Sequence, residues 1–181
     1  MKIALIGSGG REHALCHFLK KSKKVKKIFC IPGNAGTSSI AENLSININN
    51  FEEIKKTILK NKIDFVIIGP EKPLVEGLVD YLAKFNIKSF GPNKIASQLE
   101  GSKIFTKKIC KKYNIPTAKF GIFKNFKSAI NFLDSSVFPI VIKADGLASG
   151  KGVYISENKE EAIQAVKEIF DGKFGKPEQI L

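Results

Sequence analysis

Lys143, Gly146, Ser149, Gly150, Lys151 and Gly152 lie between two apolar runs, Ile140–Ile142 and Val153–Ile155. A lysine closing an apolar run, followed by a glycine-rich turn with a second lysine, has the chemistry to hold a polyphosphate. Glycine permits positive φ and a close approach of backbone to ligand. Successive N–H groups in such a turn make an anion-binding concavity, and the lysines add charge. Two short β-rich runs around the turn predict an antiparallel hairpin. The bland alternative is a flexible hairpin on a lysine-rich surface. Lys143 argues against it, because an ammonium at the end of a buried strand is costly without an anionic partner. The stretch is not a Walker P-loop, which needs G-x-x-x-x-G-K-[ST] between strand and helix. Asp145 stands at the first glycine, Gly152 at the Ser/Thr position, and a strand follows.

A second glycine turn lies near the N-terminus. Lys2–Ile6 is apolar, Gly7-Ser8-Gly9-Gly10-Arg11-Glu12 follows, and Ala14, Leu15, Phe18 and Leu19 then recur at helical spacing. Strand, turn and helix place Gly9, Gly10, Arg11 and Glu12 at a helix N-terminus, where free N–H groups and the dipole favour anions. A dinucleotide fingerprint fails here. Glu12 replaces its third glycine, and the next strand, about Ile28–Ile31, runs into Pro32-Gly33-Asn34 with no acidic residue for a ribose hydroxyl. Arg11 is the only arginine of the chain. Its planar fork suits bidentate phosphate binding, the alternative being a pair with Glu12. His13 and His17 have a metal-like spacing but no third ligand; they read as packing near the turn and as surface.

Apolar patterning supplies the elements that carry these residues. Pro32–Thr37 reads as a loop, and Leu44–Ile48 alternates like a short strand. Asn50 with Glu53 forms a capping box for a helix through about Lys60. Asp64–Ile68 is a strand ending in Gly69-Pro70-Glu71, followed by one helix from Pro73 to about Phe85. Lys88–Phe90 is another strand. Short strands alternating with helices predict a doubly wound parallel sheet to about residue 93. Loops after such strands share the carboxyl edge, where ligands bind; Gly7–Glu12, Pro32–Thr37 and Gly69–Leu74 would form one rim. Glu71 on that rim suits an amine or a ribose hydroxyl, or simply the helix dipole. Beyond it, Ser102 caps a helix to about Tyr113. A strand near Phe120–Phe123, a helix from Phe126 to Leu133, the hairpin, and a helix from Lys159 to Phe170 follow.

Composition bounds the partners. The 181 residues carry a net charge of +13, but the lysines are scattered and nucleic-acid recognition favours arginine. No nucleic-acid partner is expected. No apolar run approaches the ~18 residues of a membrane span, and no signal peptide is evident, so no membrane partner and a cytoplasmic location are expected. Cys16, Cys30 and Cys110 have neither disulfide nor zinc spacing and read as buried thiols.

The hairpin string K-A-D-G-L-A-S-G-K-G-V resembles the phosphate-covering hairpin of ATP-grasp enzymes. With G-x-G-G-R-E-H-A, P-G-N-A-G-T, G-P-E-x-P-L-V, F-G-P, L-E-G-S-K-x-F-T-K and N-I-P-T-A in order, the chain is identified as a member of the phosphoribosylamine–glycine ligase family. The resemblance implies an α/β fold: a Rossmann-like, pre-ATP-grasp domain over residues 1–101, then the first part of an ATP-grasp domain over 102–181. It implies ATP-dependent ligation of glycine to 5-phosphoribosylamine in purine biosynthesis, the alternative being another ATP-grasp ligase or carboxylase. Gly9, Gly10, Arg11, Glu12 and Glu71 would hold phosphoribosylamine. Lys143, Gly146, Ser149, Gly150, Lys151, Gly152 and Lys103, or Lys107 one turn on, would hold ATP. No nucleophile need be sought. Family members extend well past residue 181, which implies that this N-terminal portion is inactive alone. The ligands of Mg2+ or Mn2+, the adenine site and the glycine site are expected in the later part.

Overall fold

The computed structural model describes residues 1–147, 151–174 and 179–181. Two compact units divide the chain, Met1–Ser97 and Gln98–Leu181. The border falls inside a helix, α6 (Lys94–Gly101).

In the first unit, β1 (Lys2–Gly7), β2 (Lys27–Pro32), β3 (Glu42–Asn43), β4 (Phe65–Ile68) and β5 (Ser89–Phe90) form one sheet in the order β3-β2-β1-β4-β5. Every pairing is parallel. The central strand β1 is buried from Ile3 to Ile6, as a parallel strand covered on both faces must be. Alternate residues serve opposite layers. Ala4, Ile6, Phe29 and Ile31 pack with Ile54 and Ile58 of α3 (Phe51–Asn61) and with Leu78 and Leu82 of α5 (Leu78–Ala83). Leu5, Ile28 and Cys30 pack instead with Cys16 and Leu19 of α1 (Gly10–Lys20). The sheet is doubly wound, as the alternation of strands and helices predicts.

Several local expectations are overturned. The buried face of α1 is Glu12 and Cys16, with Leu19 half-buried, while Leu15 and Phe18 face solvent, Phe18 being 67% exposed. The rotation follows from Glu12: its carboxylate is tied to the turn, which sets the helix face before apolarity can. Residues 35–38 form a one-turn helix, α2 (Ala35–Ser38), capped by Asn34, and are not loop. The alternating Leu44, Ile46 and Ile48 do reach the core, but the strand itself is only Glu42–Asn43. The single helix expected after Pro73 is two, α4 (Glu71–Glu76) and α5, parted by Gly77 at φ +97°. That conformation favours glycine and closes the first helix with N–H bonds to Pro73 and Leu74 carbonyls.

In the second unit, α7 (Lys103–Lys112), α8 (Phe126–Leu133) and α9 (Lys159–Phe170) begin at side-chain caps from Ser102, Asn125 and Asn158. β6 (Ile140–Lys143) and β7 (Val153–Ser156) pair antiparallel. One face of this pair buries Ile142 and Ser156 and packs on Ala129 and Leu133 of α8 and on Val166 and Ile169 of α9. The strand expected at Phe120–Phe123 is reduced to one antiparallel bridge, Phe123 with Ile180. Among the described residues, Ile180 is the sole ladder partner of Phe123. Leu181 exchanges both backbone bonds with Lys143, at 2.7 and 2.9 Å.

Candidate functional site

The carboxyl ends of β1, β2 and β4 bring three glycines together. The Gly33 N–H donates to the Gly7 carbonyl and the Gly69 N–H to that of Ile6, both at 3.1 Å. Glu12 fills the space between the first and last of these loops. It is only 4% exposed, and its Oε2 accepts the Gly9 N–H at 2.7 Å. A methyl group on Gly69 would lie 2.3 Å from Oε1, and one on Gly7 would lie 2.6 Å from Cγ. The third glycine of a dinucleotide fingerprint is thus replaced by a carboxylate that needs glycine at positions 7, 9 and 69. Its Oε1 is buried without a hydrogen-bond partner among the described residues; the Arg11 Nε is 3.4 Å away.

Arg11 stands on the exposed side of the same turn and donates from Nη2 to Glu71 Oε1 at 2.9 Å. The pair raises the guanidinium pKa further, first through the Glu71 hydrogen bond. Glu71 is held below the usual carboxylate range by its own backbone N–H and then by Arg11. It opens α4, where a negative charge also suits the dipole. Gly9, Gly10, Arg11, Glu12 and Glu71 therefore converge on one rim, but Glu12 is beneath it and Arg11 is engaged.

Patterning missed the loop beside this turn. Asn34 donates from Nδ2 to the carbonyls of Ser8, at 2.9 Å, and Gly9, at 3.2 Å. Its Oδ1 accepts the Thr37 N–H at 2.9 Å. Thr37, wholly buried, accepts the Asn34 N–H at 2.8 Å and contacts Asn43 Oδ1 at 2.8 Å. The Asn-x-x-Thr spacing was the available signal, since both residue types compete for backbone groups and form caps. The His13 ring packs on Gly36, where a methyl group would come within 2.6 Å of it.

In the second unit Lys143 lies on the β6–β7 face opposite the helices. Register pairs it with Val153, and pairs Val141 with Ile155; alternation puts all four on one side. Val141, Val153 and Ile155 are exposed. Among the described residues the Lys143 ammonium has neither ion pair nor hydrogen bond. It borders a cavity of about 1230 Å³, with Lys107, Cys110, Phe120, Phe132 and Val141 among its walls. Lys107 is already bound, donating to Thr117 Oγ1 at 2.6 Å and the Ala118 carbonyl at 3.1 Å. Lys103 lies elsewhere in this unit, donating to the Gly146 carbonyl at 2.9 Å. Asp145 next to it accepts from Ser102 Oγ at 2.8 Å and from the Ile104 N–H at 3.1 Å, fastening the hairpin base to the start of α7. Gly146 and Gly152 have φ of +98° and +72°, which glycine tolerates. Lys151 is exposed, and Ser149 and Gly150 lie outside the described residues.

Cys16 and Cys30 are buried with their sulfurs 3.9 Å apart. Burial and then Cys16 push the Cys30 thiol up to about 12, so both are inert core groups; Cys110, expected to be buried, is half-exposed. Among the described residues no three His, Cys, Asp or Glu side chains converge as a metal cluster, and no helix is long and apolar enough to cross a membrane.

Comparison with known proteins shows the family of the chain that carries these residues. The family model for the phosphoribosylglycinamide synthetase N domain matches residues 1–100, and that for its ATP-grasp (A) domain matches 101–181. A curated phosphoribosylamine–glycine ligase from Caldanaerobacter subterraneus is 49% identical over 171 residues, 94% of this chain and 40% of its own. That of Clostridium acetobutylicum is 47% identical, over 95% of this chain and 42% of its own. The chain spans about 40% of the length of these relatives. The crystal structure of the Thermotoga maritima phosphoribosylamine–glycine ligase superposes with a TM-score of 0.78 at 31% identity, covering 99% of this chain and 42% of that one. A biotin carboxylase domain of a Hydrogenobacter thermophilus 2-oxoglutarate carboxylase shares the fold, with a TM-score of 0.75 at 20% identity over 99% of this chain and 43% of that one. With both of its halves matched in order, the chain belongs to the phosphoribosylglycinamide synthetase family.

Proposed function

We propose that the chain supplies the phosphoribosylamine-binding domain and the start of the ATP-binding domain of an enzyme that ligates glycine to 5-phosphoribosylamine. The observation that carries this reading is the end-to-end match of the two family domains along the chain. The glycine carboxylate attacks the terminal phosphorus of ATP, releasing ADP and leaving glycyl phosphate. The amine of phosphoribosylamine then attacks the acyl carbon, phosphate leaves, and the amine loses its proton as the amide of glycinamide ribonucleotide forms. Such chemistry needs positioning and charge stabilisation more than a protein nucleophile.

Roles follow from placement. The N–H groups of Gly10 and Arg11 at the start of α1, with the Arg11 fork, receive the 5′-phosphate. Glu71 faces the same rim and suits the amine or a ribose hydroxyl. Glu12 supports the turn from below. In the second unit Lys143, without an ion pair among the described residues, stands beside an apolar platform of Val141, Val153 and Ile155, which suits a nucleotide phosphate next to its base. Lys103, Lys107, Gly146, Ser149, Gly150, Lys151 and Gly152 complete the proposed ATP contacts. A divalent cation, Mg2+ or Mn2+, would neutralise phosphate charge when bound; its ligands are assigned to the remainder of the enzyme. Phosphoribosylamine, glycine and ATP are the partners of this reading.

The test is Arg11→Lys in the full-length enzyme. Replacing a fork by a point charge should raise KM for phosphoribosylamine roughly tenfold, about 1.4 kcal/mol, and leave KM for ATP in place. An unchanged phosphoribosylamine KM removes Arg11 from the site. ADP formation independent of glycine would overturn the ligase reading.

A further inference from the structure

The glycine turn that starts α1 is held by side chains on two sides. Beneath it Glu12 Oε2 takes the Gly9 N–H at 2.7 Å. Beside it Asn34 Nδ2 spans the Ser8 and Gly9 carbonyls, at 2.9 and 3.2 Å. The geometry points to Asn34 as a positioning residue for the phosphate site, one that fixes the Ser8–Gly9 and Gly9–Gly10 peptides, so that the Gly9 N–H meets Glu12 and the Gly10 N–H is left to face the rim. This inference rests on the proposed phosphate role of that turn.

Three features argue that the amide is used for its donor. First, its orientation is dictated: Oδ1 is occupied by the Thr37 N–H at 2.9 Å, so Nδ2 must face the turn. A flipped amide would set an oxygen against two carbonyl oxygens and an N–H against an N–H. Second, Asn34 is itself braced. Its N–H donates to Thr37 Oγ1 at 2.8 Å, and its carbonyl accepts Asn43 Nδ2 at 2.8 Å. A side chain anchored at both backbone groups can transmit position to what it touches. Third, the turn has little stiffness of its own. Gly7, Gly9 and Gly10 lose the most conformational freedom on ordering, and an anion site built from backbone N–H groups works only when they already converge. With both carbonyls turned toward Asn34, the N–H groups of the same two peptides turn away from it, that of Gly9 to Glu12 and that of Gly10 to the rim.

Capping and donation are separable by substitution. Aspartate and serine replace asparagine well as helix N-caps, so Asn34→Asp and Asn34→Ser should each keep the Thr37 contact and α2. Neither offers an N–H to Ser8 and Gly9. Aspartate adds repulsion against their carbonyls, and serine is the uncharged control.

The probe is D-ribose 5-phosphate, titrated calorimetrically into the 181-residue chain and its variants at fixed salt. Loss of two hydrogen bonds that order the site should weaken binding roughly tenfold or more. Thermal midpoints should fall by roughly 5 °C in Asn34→Ser, the cost of two such bonds, leaving the chain folded at about 25 °C, and hydrogen exchange at the Gly9 and Gly10 amides should quicken in both variants. Unchanged affinity in Asn34→Ser, with the wild-type chain binding, overturns the positioning role and leaves the phosphate reading intact. If the wild-type chain does not bind ribose 5-phosphate, the phosphate reading fails and takes this inference with it. Should Asn34→Asp fail to fold, the serine variant decides the matter alone.

Discussion

Gly69→Ala is the sharpest perturbation of the rim. The added methyl would lie 2.3 Å from Glu12 Oε1 and 2.8 Å from both Cδ and Cγ. The end of a glutamate can usually swing aside. Here it is 4% exposed and fixed by the Gly9 N–H at 2.7 Å. The φ of Gly69 lies outside the left-handed region, so the substitution tests the contact and not backbone strain. Overpacking a close-packed site costs about 1–3 kcal/mol, and breaking a charge-assisted hydrogen bond about 1.5–3 kcal/mol. These overlap, because displacing the carboxylate is what relieves the clash; about 3 kcal/mol is the expected total. For a unit of this size that lowers the thermal midpoint by roughly 10–20 °C. The assay is thermal and urea denaturation of Gly69→Ala, Glu12→Ala and the double variant. With the carboxylate gone there is nothing to strike, so Gly69→Ala should cost less than about 1 kcal/mol in the Glu12→Ala background. Equal cost in both backgrounds would refute the idea that position 69 is glycine because of Glu12.

The lysines of the second unit should separate by role. In the full-length enzyme Lys143→Met, which keeps the apolar stem, should impair ATP use with little change in melting. Lys107→Met should also lower stability by roughly 1 kcal/mol, since its bonds to Thr117 and Ala118 go with it; melts and ATP kinetics on the same samples decide between them. Glu168 is held at about 2 by Lys173, Tyr154 and Gln164. A depressed carboxylate contributes stability above its unfolded pKa of about 4.5 and loses it as pH falls towards 2. Wild-type protein should therefore lose its advantage over Glu168→Gln within that window, and parallel melting curves from pH 5 to pH 2.5, taken as roughly the titration range, would refute it. The 181-residue chain alone should form no ADP from ATP and glycine, since it spans 40% of its relatives; a coupled ADP assay on the purified chain checks this.

Much of this protein is legible in its residues alone. The strands β1, β2 and β4, the capped helices α3, α7, α8 and α9, and the β6–β7 hairpin follow from local rules: apolar period, side-chain caps and turn glycines. Each depends on neighbours within a few residues, which sequence displays directly. The family strings are legible for the same reason, since each is a short run of neighbouring residues.

Only the tertiary structure decided the rest. The face of α1 could not be read from Leu15 and Phe18, because a long-range carboxylate fit among Gly7, Gly9 and Gly69 turned the helix. Residues 44–48 alternate convincingly, yet strand pairing depends on what lies alongside, and β2 takes only Glu42 and Asn43. Phe120–Phe123 has strand composition, and Ile180 pairs with one residue of it. Arg11 and Glu71 are sixty positions apart and meet at 2.9 Å only because β1 and β4 are neighbours in the sheet. Asn34 looked like a loop residue, and its grip on Ser8 and Gly9 exists only once β2 lies beside β1. Periodicity reports which side chains prefer to be buried; which partners they find, and which polar group must be satisfied first, is set by contacts between segments remote in the chain.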